Sequence, residues 1–215
     1  VGLKQIAVLV VPATVGYLLL GDIIVAGLYQ RGVFTPDDTF VVTLVLMAYT
    51  IGLPASTATR LFSSAFFAMQ DTRTPARIAY LRVGVAALLG GLITLWVKFG
   101  NPEHVRYGPA GLALASGLTA WLEWGLLRAR LRQQMPAVGV GRTLLIRLIA
   151  LAAGAALLAL GLAWVLPDWH PILVAIMVIG PYAILYLVLV QAFGIEAHLP
   201  LVGRFLRQRK PPGAP

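Results

Sequence analysis

The chain has 215 residues, 59% of them hydrophobic and 12% charged, with a net charge of +9. A soluble domain carries about 25% charged residues, so this composition excludes a soluble enzyme, a disordered chain and a coiled coil, and points to an integral membrane protein. On a soluble chain the positive charge would indicate nucleic acid. Here the basic residues sit between long apolar runs, the pattern of cytoplasmic loops, and no nucleic-acid partner is expected.

Cysteine is absent and histidine occurs only as His104, His170 and His198, near predicted helix ends and never in ligand pairs. Neither a disulfide framework nor a metal site is expected, and no cofactor is implied. Val1 falls inside an apolar pattern with no initiator Met or signal peptide ahead of it, so the expectation is a fragment of a longer chain.

A spanning helix needs about 20 mostly apolar residues. Taken in order, the apolar runs predict six such helices: Ile6 to Leu20, Thr39 to Met69, Ile78 to Val97, Pro109 to Leu127, Leu144 to Leu166 and Pro171 to Phe193. The fold class is therefore all-α and polytopic. Between the first two spans, Ile23, Ile24, Leu28, Val33 and Phe34 predict a short helix at the membrane interface within Asp22 to Phe34, with a plain connecting loop as the alternative. The second run is too long for its task. At 1.5 Å per residue it covers about 46 Å against a hydrocarbon core of about 30 Å. Gly52 and Pro54 lie in its middle and predict a kink or break, either a hinge or a static bend.

Basic and non-basic connections alternate. The loop before the second span holds Arg31 against Asp22, Asp37 and Asp38, and those two aspartates read as helix caps. The next connection carries Arg73, Arg77 and Arg82, the following one Lys98, Glu103 and Arg106, and the fourth Arg128, Arg130, Arg132, Arg142 and Arg147. The fifth holds only Asp168, and the tail Arg204, Arg207, Arg209 and Lys210. Both ends are therefore expected in the cytoplasm, and the basic tail from Gly194 along the anionic leaflet or disordered.

Charges inside spans are costly, and usually face a cavity or a partner. Arg60 is the leading candidate. It stands among Ser56, Thr57, Thr59, Ser63 and Ser64, about 16 Å from the cytoplasmic end of its span. It reads as a cavity cation for an anion such as a phosphate, or as a structural arginine held by carbonyls or a carboxylate. Arg82 and Glu123 fall at similar depth on neighbouring spans. They read as an ion pair, with a proton or cation coupling site at Glu123 as the alternative. Arg147 can snorkel. Trp96, Trp164, Trp169, Tyr107 and Tyr182 read as interfacial anchors, and Ser116 and Thr119 as helix–helix hydrogen bonders. No Gly-rich phosphate loop, Ser-His-Asp set or paired carboxylates in one apolar segment are present in the sequence, so no enzyme is expected.

The stretch Gln70-Asp71-Thr72-Arg73-Thr74-Pro75 resembles the Q-D-T-R-T-P loop of the MviN/MurJ-type lipid II flippases, in the MATE-like (MOP) exporter superfamily. Leu28-Tyr29-Gln30-Arg31-Gly32-Val33-Phe34-Thr35 is similar to the family's aromatic-x-R-G-x-F-T segment, and Ala48-Tyr49-Thr50-Ile51-Gly52-Leu53 to its A-Y-x-x-G-L run. Gly111-Leu112-Ala113-Leu114-Ala115 resembles the opening of the following even-numbered helix. The order and spacing of these motifs make the match specific over the chain from Val1 to about Phe193.

The resemblance implies helices nine to fourteen of a 14-helix, two-lobe fold. Residues 1–133 would be the last four helices of the second lobe, residues 134–193 the C-terminal pair, and residues 194–215 a basic cytoplasmic tail. It implies location in the bacterial cytoplasmic membrane, with membrane lipids, the N-terminal helices of the same protein and a lipid-linked peptidoglycan precursor as partners. The implied activity is transport of that undecaprenyl-pyrophosphate-linked precursor by alternating access. Alternatives are another transporter of the superfamily (a polysaccharide-lipid flippase or a drug/cation antiporter), a membrane enzyme on lipid phosphates, or a non-transporting scaffold in cell-wall assembly. Arg60 falls where the family carries Lys or Arg in its tenth helix. Where some members place sodium-binding Asn or Asp, this chain has Ala86 and Gly90, so a sodium site of that kind is not expected.

Overall fold

The computed structural model describes residues 2–100, 102–134, 141–166 and 170–194. Asp168, Trp169, His198 and the basic tail from residue 195 lie outside the described residues, as do the side chains of Glu103 and His104. Among the described residues there are seven α-helices and one 3-10 turn: α1 (Gly2–Leu19), α2 (Gly21–Tyr29), α3 (Pro36–Ala68), α4 (Arg73–Phe99), the turn Pro102–Tyr107, α5 (Gly108–Gln134), α6 (Arg142–Val165) and α7 (Pro171–Ala192). Six of the helical segments are long and apolar enough to cross a membrane.

Close contacts fix the direction of each helix relative to its neighbours. Gly52 of α3 meets Gly117 of α5, while Phe62 and Phe66 meet Leu127 and Leu131 nearer the C-terminal ends, so α3 and α5 run parallel. On α4 and α5, Ile93 lies at Gly111 and Arg82 at Glu123, so these two are antiparallel. Leu61 of α3 lies at Gly2, and Thr43 of α3 lies at Gly21, just beyond α1; α1 and α3 are therefore antiparallel too. Alternating direction along the chain is what successive membrane crossings require.

Two apolar cores hold the bundle. One joins α1, α6 and α7 through Val8, Leu148, Ala152, Ala155, Ala156, Val178 and Tyr186. The other joins α3 and α5 through the two phenylalanine–leucine pairs, with Leu3 and Ile78 against it. The run of alanines on α6 lets α1 approach closely, the usual device where apolar side chains gain nothing by leaving lipid. α4 is the outlier: Pro75 is its one buried residue, and Tyr80, Leu88 and Leu92 are exposed.

Two expectations are revised. The segment before α3 is helical, but α2 stops at Tyr29, leaving Val33 and Phe34 in the turn. Ile23 and Ile24 pack on the first core, Val25 is buried, and Leu28 and Val33 stay exposed, so this is a packed helix rather than one lying free along its apolar side. Second, of the kink or break expected at Gly52 and Pro54, the break is absent: α3 is helical from Pro36 to Ala68 with Pro54 inside it. A proline removes one amide and pushes back the preceding turn. In that turn the Ile51 carbonyl accepts a hydrogen bond from Trp121 Nε1 at 2.8 Å, so α5 supplies polar contact where the helix is weakened.

Candidate functional site

The motif segments turn out to be chain-reversing devices. At the end of α3, Gln70 takes φ +59°, and its N–H bonds to the Phe67 carbonyl while that of Asp71 bonds to Phe66. This is a Schellman stop built on a non-glycine residue. The Asp71 carboxylate then accepts from the backbone N–H groups of Arg73 and Thr74 at 3.1 and 3.0 Å, capping α4. Pro75 sits in the first turn, where its missing amide has no helical partner to lose. Side-chain and backbone hydrogen bonds from Thr74 hold the Asp71 carboxyl below its ordinary value. Thr72 is at the helix cap position without a side-chain cap bond, and Arg73 is exposed.

The other motif works alike. Gly32 adopts φ +59°, Tyr29 and Phe34 stack with centroids 6.0 Å apart, and Thr35 and Asp38 form a reciprocal capping box at the start of α3. Thr35 N–H donates to Asp38 Oδ2 at 3.0 Å, and Asp38 N–H to Thr35 Oγ1 at 3.3 Å. Asp38 also lies 3.6 Å from Arg106 of the 3-10 turn.

Arg60 lies eight residues before the end of α3 with its side chain exposed, and it forms no ion pair or side-chain hydrogen bond among the described residues. Its neighbours are less available than their composition implied. Ser56 and Thr57 donate to the Leu53 carbonyl, and Ser64 donates to that of Arg60. Thr59 is buried with its hydroxyl unpaired. Three hydroxyls of the polar stretch are thus satisfied within their own helix, which leaves the Arg60 guanidinium as its open charge.

Arg82 and Glu123 meet. Arg82 Nη1 donates to Glu123 Oε2 at 2.6 Å, the arginine side chain 30% exposed and the glutamate 8%. This pair ties α4 to α5 through charged groups. Ala86 stands one turn further along α4 and Gly90 two turns, with Gly90 facing Leu112 across the seam. Among the described residues no group of three or more His, Cys, Asp or Glu is placed to hold a metal ion.

Gly52 belongs to a crossing point. A Cβ on it would lie 2.5 Å from Gly117 Cα, and one on Gly117 would lie 3.1 Å from the Ala48 carbonyl oxygen. Two readings of polar groups are corrected. Thr119 donates to the Ser116 carbonyl within α5 rather than across helices. Tyr182 is buried and bonded to the Pro12 carbonyl, so it is no interfacial anchor; Trp164 is 91% exposed at a helix end. Sequence reasoning missed Gly117, Trp121 and Tyr186. For Tyr186 a signal was present: Pro12 in mid-helix leaves the Val8 carbonyl in need of a distant donor.

Comparison with known proteins now bears on this geometry. The family profile described as "Lipid II flippase MurJ" matches residues 1–192. A probable lipid II flippase MurJ from Rhizobium meliloti is 34% identical over 161 residues, which is 75% of this chain and 28% of the relative. The one from Rickettsia prowazekii is 32% identical over 116 residues, 54% of this chain and 21% of the relative. The lipid II flippase MurJ of Thermosipho africanus is 32% identical over 116 residues, 54% of this chain and 22% of the relative. The chain thus spans about a quarter of the length of such relatives. A solved structure of lipid II flippase MurJ in an inward closed conformation superposes with TM-score 0.63 at 23% identity, over 89% of this chain and 37% of that one, a likeness of fold. With six spanning helices in this arrangement and a family match across almost all of the described residues, the chain belongs to the lipid II flippase MurJ family.

Proposed function

We propose that this chain supplies the last six spans of a transporter that moves a lipid-linked, undecaprenyl-pyrophosphate-bearing peptidoglycan precursor from the cytoplasmic to the periplasmic leaflet. The N-terminal helices of the same protein complete it. The task is to carry a large anionic head group across about 30 Å of hydrocarbon, and an open cation inside a span lowers that barrier without any bond being broken. The observation that carries the reading is Arg60: exposed on α3, unpaired among the described residues, and about 12 Å from the helix end, too deep to be a loop charge.

In this reading residues 1–133 belong to the transporting lobe, residues 134–193 form the accessory pair and residues 194–215 the cytoplasmic tail. Both chain ends face the cytoplasm, so a cysteine at Thr72 is shielded from an impermeant thiol reagent in intact cells and one at Thr35 is labelled. Gly52 and Pro54 are the proposed flexing point of α3, constrained to keep the crossing with Gly117. A cation antiporter fits less well: the buried carboxylate Glu123 is neutralised by Arg82 of the same chain.

The test is complementation of a flippase-deficient strain by the full-length protein. Arg60→Ala abolishes growth rescue at normal membrane levels, while Arg60→Lys retains part of it, because charge matters more than the planar fork in a wet cavity. Full rescue by the alanine variant refutes the cavity role. Loss of the protein from the membrane assigns Arg60 to structure instead.

A further inference from the structure

Pro12 lies inside α1. It has no N–H, so the carbonyl of Val8, four residues earlier, lacks the donor a regular helix would give it. Val8 is 1% exposed, packed between α1, α6 and α7, where neither water nor lipid head groups reach. An unpaired carbonyl in such surroundings is costly. The Tyr186 hydroxyl, on α7, donates to this carbonyl at 2.8 Å, and Tyr186 is itself 2% exposed.

The same α7 stripe continues to engage α1 and α2. One turn earlier, the Tyr182 hydroxyl donates to the Pro12 carbonyl at 2.7 Å, and its ring lies over Gly16, where an added Cβ would come within 3.1 Å. Further back, Ala175 packs directly on Gly27 of α2. Residues 175, 178, 182, 186 and 190 are the buried positions of α7, one face at helical spacing.

We propose that Tyr186 is the donor that Pro12 removes from α1, so that the α6–α7 pair is keyed to α1 at a single register. The physical reason is the uniqueness of the acceptor. Carbonyls elsewhere in the interior of α1 are met by amides of their own helix; the one opposite Tyr186 is met by another helix. Sliding α7 by a turn toward the C-terminal end of α1 orphans Val8 and sets the Tyr186 hydroxyl against a carbonyl already bonded; sliding it the other way brings Tyr182 to Val8 but carries its ring from the open space at Gly16 onto the Pro12 side chain. The pair then moves with α1 as one body.

The experiment is a double-mutant cycle on thermal unfolding of the full-length protein in detergent. Tyr186→Phe keeps the ring and deletes the donor; Pro12→Ala restores the amide within α1. In the native background Tyr186→Phe lowers Tm by about 2–4 °C. In the Pro12→Ala background the same change lowers it by less than half as much. Tyr182→Phe is the control: its acceptor keeps the Gly16 amide, so its cost is the same in both backgrounds. Equal costs of Tyr186→Phe in both backgrounds overturn the proposal, and so does a fall in the cost of both tyrosine changes, which means α1 has lost register. If Tyr186→Phe alone does not accumulate, its recovery by Pro12→Ala supports the proposal and failure of the double variant overturns it.

Discussion

Removing either member of the Arg82–Glu123 pair leaves the other without its partner at the α4–α5 seam. The oxygen and nitrogen are 2.6 Å apart. With charge centres about 4 Å apart and an effective dielectric of about 20, the attraction is about 4 kcal/mol. Desolvating both groups consumes much of that, and with Arg82 still 30% exposed the net coupling falls to about 1–3 kcal/mol. Glu123→Ala strands a guanidinium that is 30% exposed on a long side chain able to snorkel toward the membrane surface, whereas Arg82→Ala strands a carboxylate that is 8% exposed. The arginine deletion is therefore the more destabilising of the two. The assay is a double-mutant cycle on unfolding of the full-length protein in detergent. The double variant costs less than the sum of the single ones by about 1–3 kcal/mol. Strict additivity would refute the pairing and return Glu123 to the role of an ion-coupling carboxylate.

Gly52→Ala forces α3 and α5 apart, because the new methyl meets backbone rather than a side chain that can turn; the expected loss is about 1–3 kcal/mol. Gly125→Ala, on the same α5 but facing open space, stabilises by about 0.5–1 kcal/mol, and unfolding curves of the two variants should move in opposite directions. Asp71→Ala lowers stability and Asp71→Asn retains most of it, since the amide oxygen still accepts from Arg73 and Thr74. The folded-state value of Asp71 lies below its ordinary 3.8, so its contribution is complete above that value and fades as pH falls through the depressed one. The gap between native protein and Asp71→Ala is accordingly flat from about pH 5 to 8 and closes in strong acid.

Span number and the capping role of Asp38 were legible because they rest on local rules: about 20 apolar residues make a span, and an aspartate caps where a helix starts; Thr35, which shares that cap in place of Asp37, and Asp71 stood only as members of family motifs. Helix ends were less so. α5 continues to Gln134, past the last apolar residue, because Arg, Leu and Gln are good helix formers whether or not lipid surrounds them. The depth of Arg82 and Glu123 followed from counting, but their contact depended on how each helix is turned about its axis, which an evenly apolar span does not encode. The same gap hid Gly117 and Tyr186: nothing local distinguishes Gly117 from Gly125, or a buried tyrosine from an interfacial one. Pro54 pointed to a break that α3 does not show, and nothing local told of Trp121, which bonds to the Ile51 carbonyl in the preceding turn from 70 residues away. Arg60 was legible as an outlier of charge, and its surroundings were not, since Ser56, Thr57 and Ser64 turn to their own backbone.

The most direct measurement is the amount of lipid II exposed at the periplasmic leaflet. Cells depleted of their own flippase would express the full-length protein, and an externally added enzyme that cleaves lipid II would report how much is accessible. The account predicts that the native protein restores the accessible pool and that Arg60→Ala, at equal membrane abundance, does not. An accessible pool that stays at the depleted level with the native protein present in the membrane would contradict it.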